Sequence, residues 1–292
     1  MPDPANAKIV LITGCSSGFG LHTAAHLASH GYHVVATMRD LDKKGPLLSE
    51  VHRRGGEADL FRLDVTDRSS IKEAIRLTAK KYGYIDVLVN NAGIVMAGFF
   101  EDLSDSNIRE IMETNFFGVQ NVVREVIPLM RQRKHGKIIN ISSVSGFSAL
   151  PGLGAYNASK WALEAFCESL YYELKLFGID VLLVEPGSYA TKIFSDNARC
   201  AQNLDNPASP YCRVSQALRT RINNNIADNH KDIEEIPALI EKLIRARNPS
   251  FRNMPDIEAK TLYVLRKLLP FSVYSFLIRR ALSGELKQQA TD

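Results

Sequence analysis

The chain has 292 residues, of which 45% are hydrophobic, and a formal net charge of +4. So small a charge argues against nucleic acid as the main partner, and no apolar run reaches the roughly 18 residues of a membrane span. The first residues lack the charged head and apolar core of a secretory signal, and the four cysteines are scattered without a CxxC pair, so we expect a cytoplasmic protein with reduced thiols and no metal site.

The first predicted element is a short apolar strand at residues 8–13. It leads into a glycine-rich turn and then into an Ala- and Leu-rich helical pattern that ends near His30. The order strand, glycine turn, helix is typical of the opening of a nucleotide-binding βαβ unit. In such a turn, Gly14, Gly18 and Gly20 let the backbone approach a pyrophosphate, although their spacing is GxxxGxG and not GxGxxG.

Strands and helices then alternate along the chain. Strands are predicted at residues 32–37, 58–63, 86–89, 137–142 and 179–184, and helices at residues 48–54, 67–82, 107–132 and 155–175. The strands are continuous apolar runs, as expected of strands buried on both faces. The pattern predicts an α/β fold, a Rossmann-type doubly wound parallel sheet flanked by helices on both faces, in a single domain spanning residues 1–292 with its core at residues 8–193.

The character of the sequence changes after Pro186 and Gly187. Residues 194–232 are polar and broken by prolines, which predicts a lid of short helices over the sheet edge; a helix at 233–247 and a short strand at 250–254 follow. The C-terminal helical extension, residues 256–292, contains an apolar and basic stretch broken by Pro270. We expect this stretch to pack on its own domain; the alternative is a basic amphipathic segment that touches a membrane surface or a partner subunit.

Tyr156 and Lys160 are the pair of residues that points most directly to chemistry. In the helix predicted at residues 155–175 they stand at positions i and i+4 and therefore share a face. An ammonium group held beside a phenol favours the phenolate and is expected to move the tyrosine pKa toward neutrality. Tyr156 would then donate and accept protons.

Several further motifs occur in register with this pair. They are TGCSSGFG at residues 13–20, NNAG at residues 90–93, Asn115, Ser142-Ser143 at a strand end, and Pro186-Gly187. In order and spacing these motifs resemble the short-chain dehydrogenase/reductases, in the single-domain branch of that family, over roughly residues 8–193. The glycine turn and the long C-terminal extension are similar to those of steroid- and retinol-active members.

The resemblance implies a catalytic role for four residues. Tyr156 would be the acid/base, Ser143 would hydrogen-bond the same substrate oxygen, Lys160 would lower the tyrosine pKa and hold the nicotinamide ribose, and Asn115 would anchor a proton-relay water. Ser142 is expected to point the other way along its strand. The implied reaction is hydride transfer coupled to proton transfer between a secondary alcohol and a ketone, with no metal.

The resemblance also implies a dinucleotide cofactor. The expected binding residues are Gly14, Ser16, Ser17, Gly18, Phe19, Gly20, Arg39, Asp64, Val65, Asn91, Gly93, Tyr156, Lys160, Pro186, Gly187 and Thr191. NAD sites carry an acid at the end of the second strand, whereas a 2′-phosphate needs an arginine. Here Met38 occupies the acid's place and Arg39 follows it, which favours NADP over NAD, although Asp40 lies at the spacing that the general fingerprint gives to the acid.

The substrate is expected to be a bulky apolar alcohol or ketone, because the candidate lining residues are mostly hydrophobic. They are Met96, Phe147, Leu150, Leu153, Tyr189, Ile193 and Phe194. The helices that contain Asn107 and Tyr156 pair across a two-fold axis in this family, so a homodimer, or a homotetramer, is the expected assembly.

Two other functions use the same motifs. A cofactor-sensing regulator would keep the dinucleotide fold without catalysis, and an epimerase or dehydratase would regenerate its cofactor. Three histidines, His22, His26 and His30, stand one helical turn apart. Because no acidic or cysteine partner is apparent in the sequence, we interpret them as structural residues on an exposed helix face.

Overall fold

The computed structural model describes residues 7–189, 198–201, 204, 206–227 and 231–286. Nine strands lie in this part of the chain: β1 (Ile9–Ile12), β2 (His33–Met38), β3 (Ala58–Arg62), β4 (Val87–Asn90), β5 (Val95–Ala97), β6 (Gly136–Ile141), β7 (Ile179–Val184), β8 (Ala198–Cys200) and β9 (Arg252–Asn253). The α-helices described are α1 (Gly18–Ser29), α2 (Gly45–Arg53), α3 (Arg68–Tyr82), α4 (Asp105–Met112), α5 (Gly118–Arg133), α6 (Gly154–Lys175), α7 (Cys212–Ala227), α8 (Glu235–Arg245), α9 (Ile257–Leu268), α10 (Phe271–Ala281) and α11 (Ser283–Leu286).

Seven strands form one parallel sheet in the order β3-β2-β1-β4-β6-β7-β9. The strand order reverses beside β1, which pairs with β2 on one side and with β4 on the other. In open α/β sheets, ligands bind in the crevice outside the carboxyl ends of the strands at this reversal. The predicted doubly wound sheet is confirmed.

Helices cover both faces of the sheet, because successive strand residues point to opposite sides. In β1, Val10 and Ile12 join a core with α1, α2 and α8, whereas Ile9 and Leu11 join a core with α3, α5 and α6. All four residues are buried. Because both faces of β1 are buried, its sequence is a continuous apolar run and does not alternate with polar residues.

The helix predicted at residues 107–132 is interrupted. Between α4 and α5 the chain forms a π-helical turn, Glu113–Phe117, which contains the buried Asn115. Single π turns inside α-helices are frequent at functional sites because they change the direction in which one side chain points. The interruption therefore moves Asn115 out of the regular helical register.

The predicted lid differs from the structure. Its described part contains one helix of 16 residues, α7, rather than several short helices, and the strand β8. Strand β8 pairs in parallel with β5 to form a second, two-stranded sheet that the sequence analysis did not predict. Strands of three residues are too short to give a periodic signal in the sequence.

Two of the three histidines of α1 have acidic partners that are not apparent in the sequence. His22 Nδ1 lies 2.7 Å from Glu234, and His26 Nε2 lies 2.7 Å from Glu241. Both acids come from the α8 region, more than 200 positions along the chain, so sequence spacing gave no sign of them. His22 and His26 are half-buried on the side of α1 that faces the α8 region. Of the three histidines, only His30 is exposed.

The described part of the C-terminal extension forms three helices, α9, α10 and α11, and the first two meet at Pro270, where the sequence predicted a break. Pro270 is the N-cap residue of α10, where its missing N–H group costs no hydrogen bond. Among the described residues, no helix is both long and apolar enough to span a membrane.

Candidate active site

A cleft of about 1260 Å³, including its solvent-open mouth, lies at the carboxyl ends of the central strands. Most of the residues predicted to bind the cofactor line it: Gly14, Ser16, Ser17, Gly18, Phe19, Arg39, Asp64, Val65, Asn91, Gly93, Tyr156, Lys160, Pro186 and Gly187. Ser143 lines the same cleft. Thr191 lies outside the described residues. Motifs as far apart in the sequence as Gly14 and Gly187 thus converge on one crevice.

The sequence analysis missed seven residues of the cleft wall. They are Met38, Leu63, Ala92, Ile94, Thr114, Ile141 and Ser142. Each stands within two positions of a residue that was predicted, at a strand end or in a motif, so proximity to the motifs was the signal that could have identified them.

The glycine turn is fixed by a close backbone approach at Gly14 and by hydrogen bonds from Asn91. Gly14 has φ +74°, and a Cβ atom added to it would lie 2.8 Å from Ala92 Cα. The Asn91 side chain donates hydrogen bonds to the carbonyl oxygens of Thr13 at 2.9 Å and Gly14 at 3.0 Å. The turn is therefore tied to the end of β4 before any ligand is considered.

Gly20 does not line the cleft. An added Cβ atom would lie 2.4 Å from the Gly14 carbonyl oxygen and 2.4 Å from the Asn91 amide nitrogen. Its contribution is close packing beneath the turn and not contact with a ligand, which corrects the prediction for this residue. Together with the first N–H groups of α1, which have no acceptor within the helix, the turn fits a pyrophosphate.

Arg39 and Asp40 separate at the end of β2. Arg39 lines the cleft and is exposed. The Asp40 carboxylate instead accepts a hydrogen bond from the Asp42 N–H at 3.0 Å and lies 3.9 Å from Lys43 Nζ. Asp40 thus caps the 3₁₀ turn that follows, as an aspartate at an N-cap does.

Tyr156 lies in the first turn of α6 with 5% of its surface exposed. Burial of the phenol raises its pKa to about 12, while a hydrogen bond between the side chains of Tyr156 and Ser143 lowers the pKa. The predicted shift toward neutrality is wrong for this structure. The reason is that desolvation disfavours the phenolate more than the neighbouring groups favour it.

The Lys160 side chain hydrogen-bonds the protein backbone. Its Nζ donates to the Ile141 carbonyl at 2.9 Å and lies 5.9 Å from the centre of the Tyr156 ring. Burial lowers the pKa of Lys160 to about 8, although the charges of Glu164 and Cys167 raise it. The ammonium is therefore close to the cleft but acts on Tyr156 from a distance.

Ser142 and Ser143 have different partners, as their alternation along the chain predicts. Ser142 Oγ donates to Glu164 Oε1 at 2.7 Å, behind the site. Ser143 Oγ accepts from the Ser145 N–H at 3.1 Å and reaches Tyr156. Only Ser143 has its hydroxyl on the side of the phenol.

The side-chain amide of Asn115 forms all its hydrogen bonds with other protein groups. Its Nδ2 donates to the Ile94 carbonyl at 2.9 Å and to Ser159 Oγ at 3.0 Å, and its Oδ1 accepts from the Ile94 N–H at 2.9 Å. Both amide hydrogens are used by these bonds. The side chain joins the segment before β5 to α6, close to Tyr156, and does not line the cleft.

The predicted substrate residues are spread over several environments. Met96 and Leu153 pack in a small cluster with Tyr156, and Phe147 packs edge-on against Tyr263 at 5.2 Å. Leu150 is 39% exposed. None of these four lines the cleft, and Ile193 and Phe194 lie outside the described residues.

Tyr189 is the one described member of that set that lines the cleft. It is buried, packs edge-on against Phe19 at 5.5 Å and donates to Glu235 Oε2 at 2.7 Å. These contacts place it beside the glycine turn, and its role toward the substrate stays a prediction.

A buried charge network behind the site was not predicted. Arg252 Nη1 of β9 lies 2.8 Å from Glu164 of α6 and also contacts Glu185, at the end of β7. Burial raises the pKa of both carboxyl groups, and the charge of Arg252 lowers them. One sequence signal existed: a glutamate four residues after Lys160, on the same helix face.

Comparison with known proteins shows the family of the chain. The family model described as short chain dehydrogenase matches residues 8–200. An uncharacterized oxidoreductase of Bacillus subtilis, YusZ, is 37% identical over 95% of this chain and 99% of its own. The 3-ketodihydrosphingosine reductase of Bacteroides thetaiotaomicron is 34% identical over 93% and 97%, and retinol dehydrogenase 8 of Bos taurus is 34% identical over 90% and 86%.

Solved structures show the same fold. A short-chain dehydrogenase from Streptomyces avermitilis superposes with a TM-score of 0.77, at 31% identity over 98% of this chain and all of its own. An actinorhodin polyketide ketoreductase variant with NADPH gives 0.74 at 27% identity, covering 87% and 97%. A dehydrogenase/reductase from Burkholderia phymatum with NAD gives 0.77 at 26% identity, covering 89% and 93%.

Proposed function

The chain belongs to the short-chain dehydrogenase family, and from that premise we propose that it is a cytoplasmic NADP(H)-dependent oxidoreductase that interconverts a secondary alcohol and a ketone. The observation that carries the proposal is the meeting of Tyr156, Ser143 and Lys160 in one cleft with the glycine turn. Two hydroxyl groups and an ammonium group beside a dinucleotide-binding turn are what carbonyl reduction requires of the protein.

Tyr156 supplies the proton in this proposal. A phenol with a pKa raised to about 12 is fully protonated at neutral pH and is ready to donate to a ketone oxygen as charge develops there. Ser143 holds the same oxygen, and its own hydroxyl is oriented by the Ser145 N–H. The cofactor, when bound, supplies or accepts the hydride.

Lys160 has two tasks in the proposal. Its ammonium lies at the floor of the cleft, where it offers donors to the ribose hydroxyls of the cofactor, and its charge stabilises the phenolate that remains after proton donation. Asn115 contributes by positioning, since it joins the segment before β5 to Ser159 on the helix of Tyr156. We propose that a water at this π turn returns the proton from solvent.

NADP is the proposed cofactor because Arg39 lines the cleft whereas the Asp40 carboxylate bonds a neighbouring turn. Arg39 lines the cleft, and Asp40, which stands in the fingerprint position, caps a turn. A 2′-phosphate would meet a cation there, whereas the 2′-hydroxyl of NAD would lack its acidic partner. Family structures with NADPH and with NAD both resemble this chain, so the choice rests on these two residues.

The proposed substrate is bulky and apolar. Relatives that the chain matches over nearly their full length include a 3-ketodihydrosphingosine reductase and a retinol dehydrogenase, and mouse 17-beta-hydroxysteroid dehydrogenase type 1 is 34% identical over 84% of this chain. All three names describe lipid-like molecules. We propose a hydrophobic ketone or secondary alcohol of the same solubility class.

The proposed assembly is a homodimer through α5 and α6. Phe117, Trp161 and Tyr172 lie on or next to these helices and are 42%, 43% and 65% exposed. Large aromatic side chains are enriched in protein interfaces. Light scattering on the purified chain tests this assignment.

The function is tested by following NADPH absorbance with a panel of steroid, retinoid, acyl and sugar ketones. The Tyr156→Phe variant should lose at least about 10²-fold in rate, since it cannot donate the proton, while NADPH binding by fluorescence is retained. Tyr32→Phe is the matched control, since that hydroxyl contacts Arg245 outside the cleft, and should keep full activity.

Three outcomes oppose the proposal. Unchanged NADPH consumption by Tyr156→Phe would remove the tyrosine from the reaction. Cofactor binding without turnover of any ketone would favour a cofactor-sensing regulator. Product formed without net NADPH consumption would favour an epimerase or dehydratase.

A further inference from the structure

Helices α9 and α10, here called the C-terminal helix pair, are attached to the protein by very few buried side chains. Of their 23 residues, only Ala259 and Tyr274 are buried. Eight large apolar side chains are exposed instead: Ile257, Val264, Leu265, Leu268, Phe271, Val273, Phe276 and Leu277. Single exposed apolar residues are ordinary, but a contiguous group of this size marks an interaction site.

In α9 the exposed apolar residues point away from the domain. At about 100° per residue, Ile257, Val264 and Leu268 fall within roughly 40° of one another. The buried Ala259 lies on the opposite side of the helix. Ile257 and Leu268 are 81% and 74% exposed, so the apolar stripe that a surface helix normally turns inward is here turned outward.

Helix α10 repeats this arrangement. Tyr274 faces inward and hydrogen-bonds Ser148, while Phe276, about 160° away around the helix, is 59% exposed. Val273 and Arg280 share the outward side with Phe276. Each of the two helices therefore presents an apolar side to the outside.

The two helices also carry an excess of positive charge. Five basic residues, Lys260, Arg266, Lys267, Arg279 and Arg280, and one acidic residue, Glu258, lie in the two helices. The resulting excess of four positive charges equals the net charge of the whole chain. Within the described residues, Glu258 pairs with Lys231 and none of the five cations forms an ion pair. Arg266 and Lys267 lie instead over aromatic rings.

The helix pair borders the substrate end of the cleft. Tyr274 hydrogen-bonds Ser148, and Tyr263 packs on Phe147 at 5.2 Å. Both partners belong to the segment that follows Ser143. On the other side, Leu282 packs with Val214 and Leu218 of α7. The outward surface thus adjoins the two segments that border the proposed substrate site.

We propose that the C-terminal helix pair docks the protein on the surface of an anionic lipid bilayer. Outward Leu, Ile and Phe side chains flanked by Lys and Arg are the features with which helices lie in a membrane interface, and acidic lipids attract unpaired cations near the surface. The charge decides against a second copy of the chain as the occupant. A two-fold contact would bring two surfaces of the same positive charge together.

Vesicle flotation of the full-length protein tests this surface without depending on the proposed reaction. Binding is expected to vesicles of phosphatidylcholine and phosphatidylglycerol, to be weak on phosphatidylcholine alone, and to fall with added salt. Leu268→Ser/Phe276→Ser should lower the vesicle-bound fraction about tenfold. Leu176→Ser/Phe100→Ser is the matched control, since these residues are 83% and 79% exposed elsewhere, and should bind as wild type.

The charge contribution has its own pair of variants. Lys260→Glu/Lys267→Glu should abolish the preference for phosphatidylglycerol, whereas Lys72→Glu/Lys80→Glu on the exposed side of α3 should preserve it. NADPH binding and thermal unfolding verify that every variant is folded.

Three results would overturn the proposal. These are equal flotation of surface and control variants, no binding of wild type to anionic vesicles, and a fall in oligomeric state caused by Leu268→Ser/Phe276→Ser. The last would identify the surface as a subunit interface. Loss of flotation with unchanged turnover of a water-soluble ketone would support docking and leave the enzyme assignment intact.

Discussion

Lys160 donates its hydrogen bond to the carbonyl oxygen of Ile141 at 2.9 Å, at the end of β6, and not to the phenol of Tyr156. The ammonium is buried, and burial lowers its pKa to about 8 from the usual 10.5. A buried cation with one carbonyl acceptor costs free energy of folding. Lys160 thus lowers the free energy of unfolding of the protein.

The first prediction concerns this cost. Because the folded-state pKa lies below the unfolded one, the unfolded chain binds more protons between pH 8 and 10.5, and the stability of wild type rises across that window. Lys160→Met should therefore be more stable than wild type at pH 7, by up to about 3 kcal/mol. The difference should vanish near pH 10.5. Urea unfolding of both proteins at several pH values measures it, and a difference independent of pH would contradict the assignment.

The second prediction separates the adjacent serines. Ser143→Ala removes the hydroxyl that faces Tyr156 and should lower kcat/KM about 10²-fold. It should also raise the tyrosine pKa, because the bond from Ser143 lowers it; in the alcohol-oxidising direction the acid limb of the pH profile then moves to higher pH. Ser142→Ala is the control. Its hydroxyl bonds Glu164, so it should change stability more than rate, and equal rate losses would refute the assignment.

The third prediction concerns cofactor choice. Arg39→Ala should weaken NADPH binding roughly 10- to 100-fold, the usual effect of losing a hydrogen bond to a charged group. NADH binding should not change. Asp40→Ala should leave both affinities within about twofold, since that carboxylate bonds the Asp42 N–H. Titration calorimetry reports all four values, and a loss of NADH binding in Asp40→Ala would instead assign the ribose hydroxyl to Asp40.

The fourth prediction concerns the buried network. Burial raises the pKa values of Glu164 and Glu185. The protonated carboxyl groups therefore contribute to the free energy of unfolding at low pH, and this contribution is lost as pH rises through their folded-state pKa. Arg252→Met removes their cation and should cost about 3–5 kcal/mol at pH 8. The cost should be clearly smaller at pH 5, where Glu185, whose pKa burial raises to about 8, is protonated.

A second variant checks the cause. Adding Glu185→Gln to Arg252→Met should recover part of the lost stability at pH 8, because one buried charge is removed. Guanidinium unfolding of the single and double variants gives the comparison. No recovery would mean that Arg252 acts through packing on Phe251 and Tyr263, over whose rings it lies.

Much of the sheet was predictable because its strands are buried on both faces and therefore read as apolar runs. The same holds for the convergence of Gly14, Asn91, Ser143 and Tyr156, since carboxyl ends of parallel strands share an edge. Features that depend on one distant partner were not predictable. The pairing of His22 with Glu234, the short β5–β8 ladder and the contact of Arg252 with Glu164 leave no local periodicity.

The pKa of Tyr156 shows a different limit. Spacing places Lys160 on the same helix face, but it does not reveal that the ammonium bonds Ile141 or how fully the phenol is buried. Desolvation depends on every element packed around a group. Residue identities therefore predicted the participants, and only the packing gave the direction of the shift.

The late position of Arg252 has a consequence for biosynthesis. It follows Glu185 by 67 residues and Glu164 by 88, yet it is the cation for both. While the ribosome is still adding those residues, the emerging chain holds two carboxylates beside its future core with no arginine to accept them. The nucleotide-binding half can begin to condense early, but the sheet edge has to wait for β9. The pairing of β9 with β7, and with it the cation for both carboxylates, therefore becomes possible only after Arg252 and Asn253 have been synthesised.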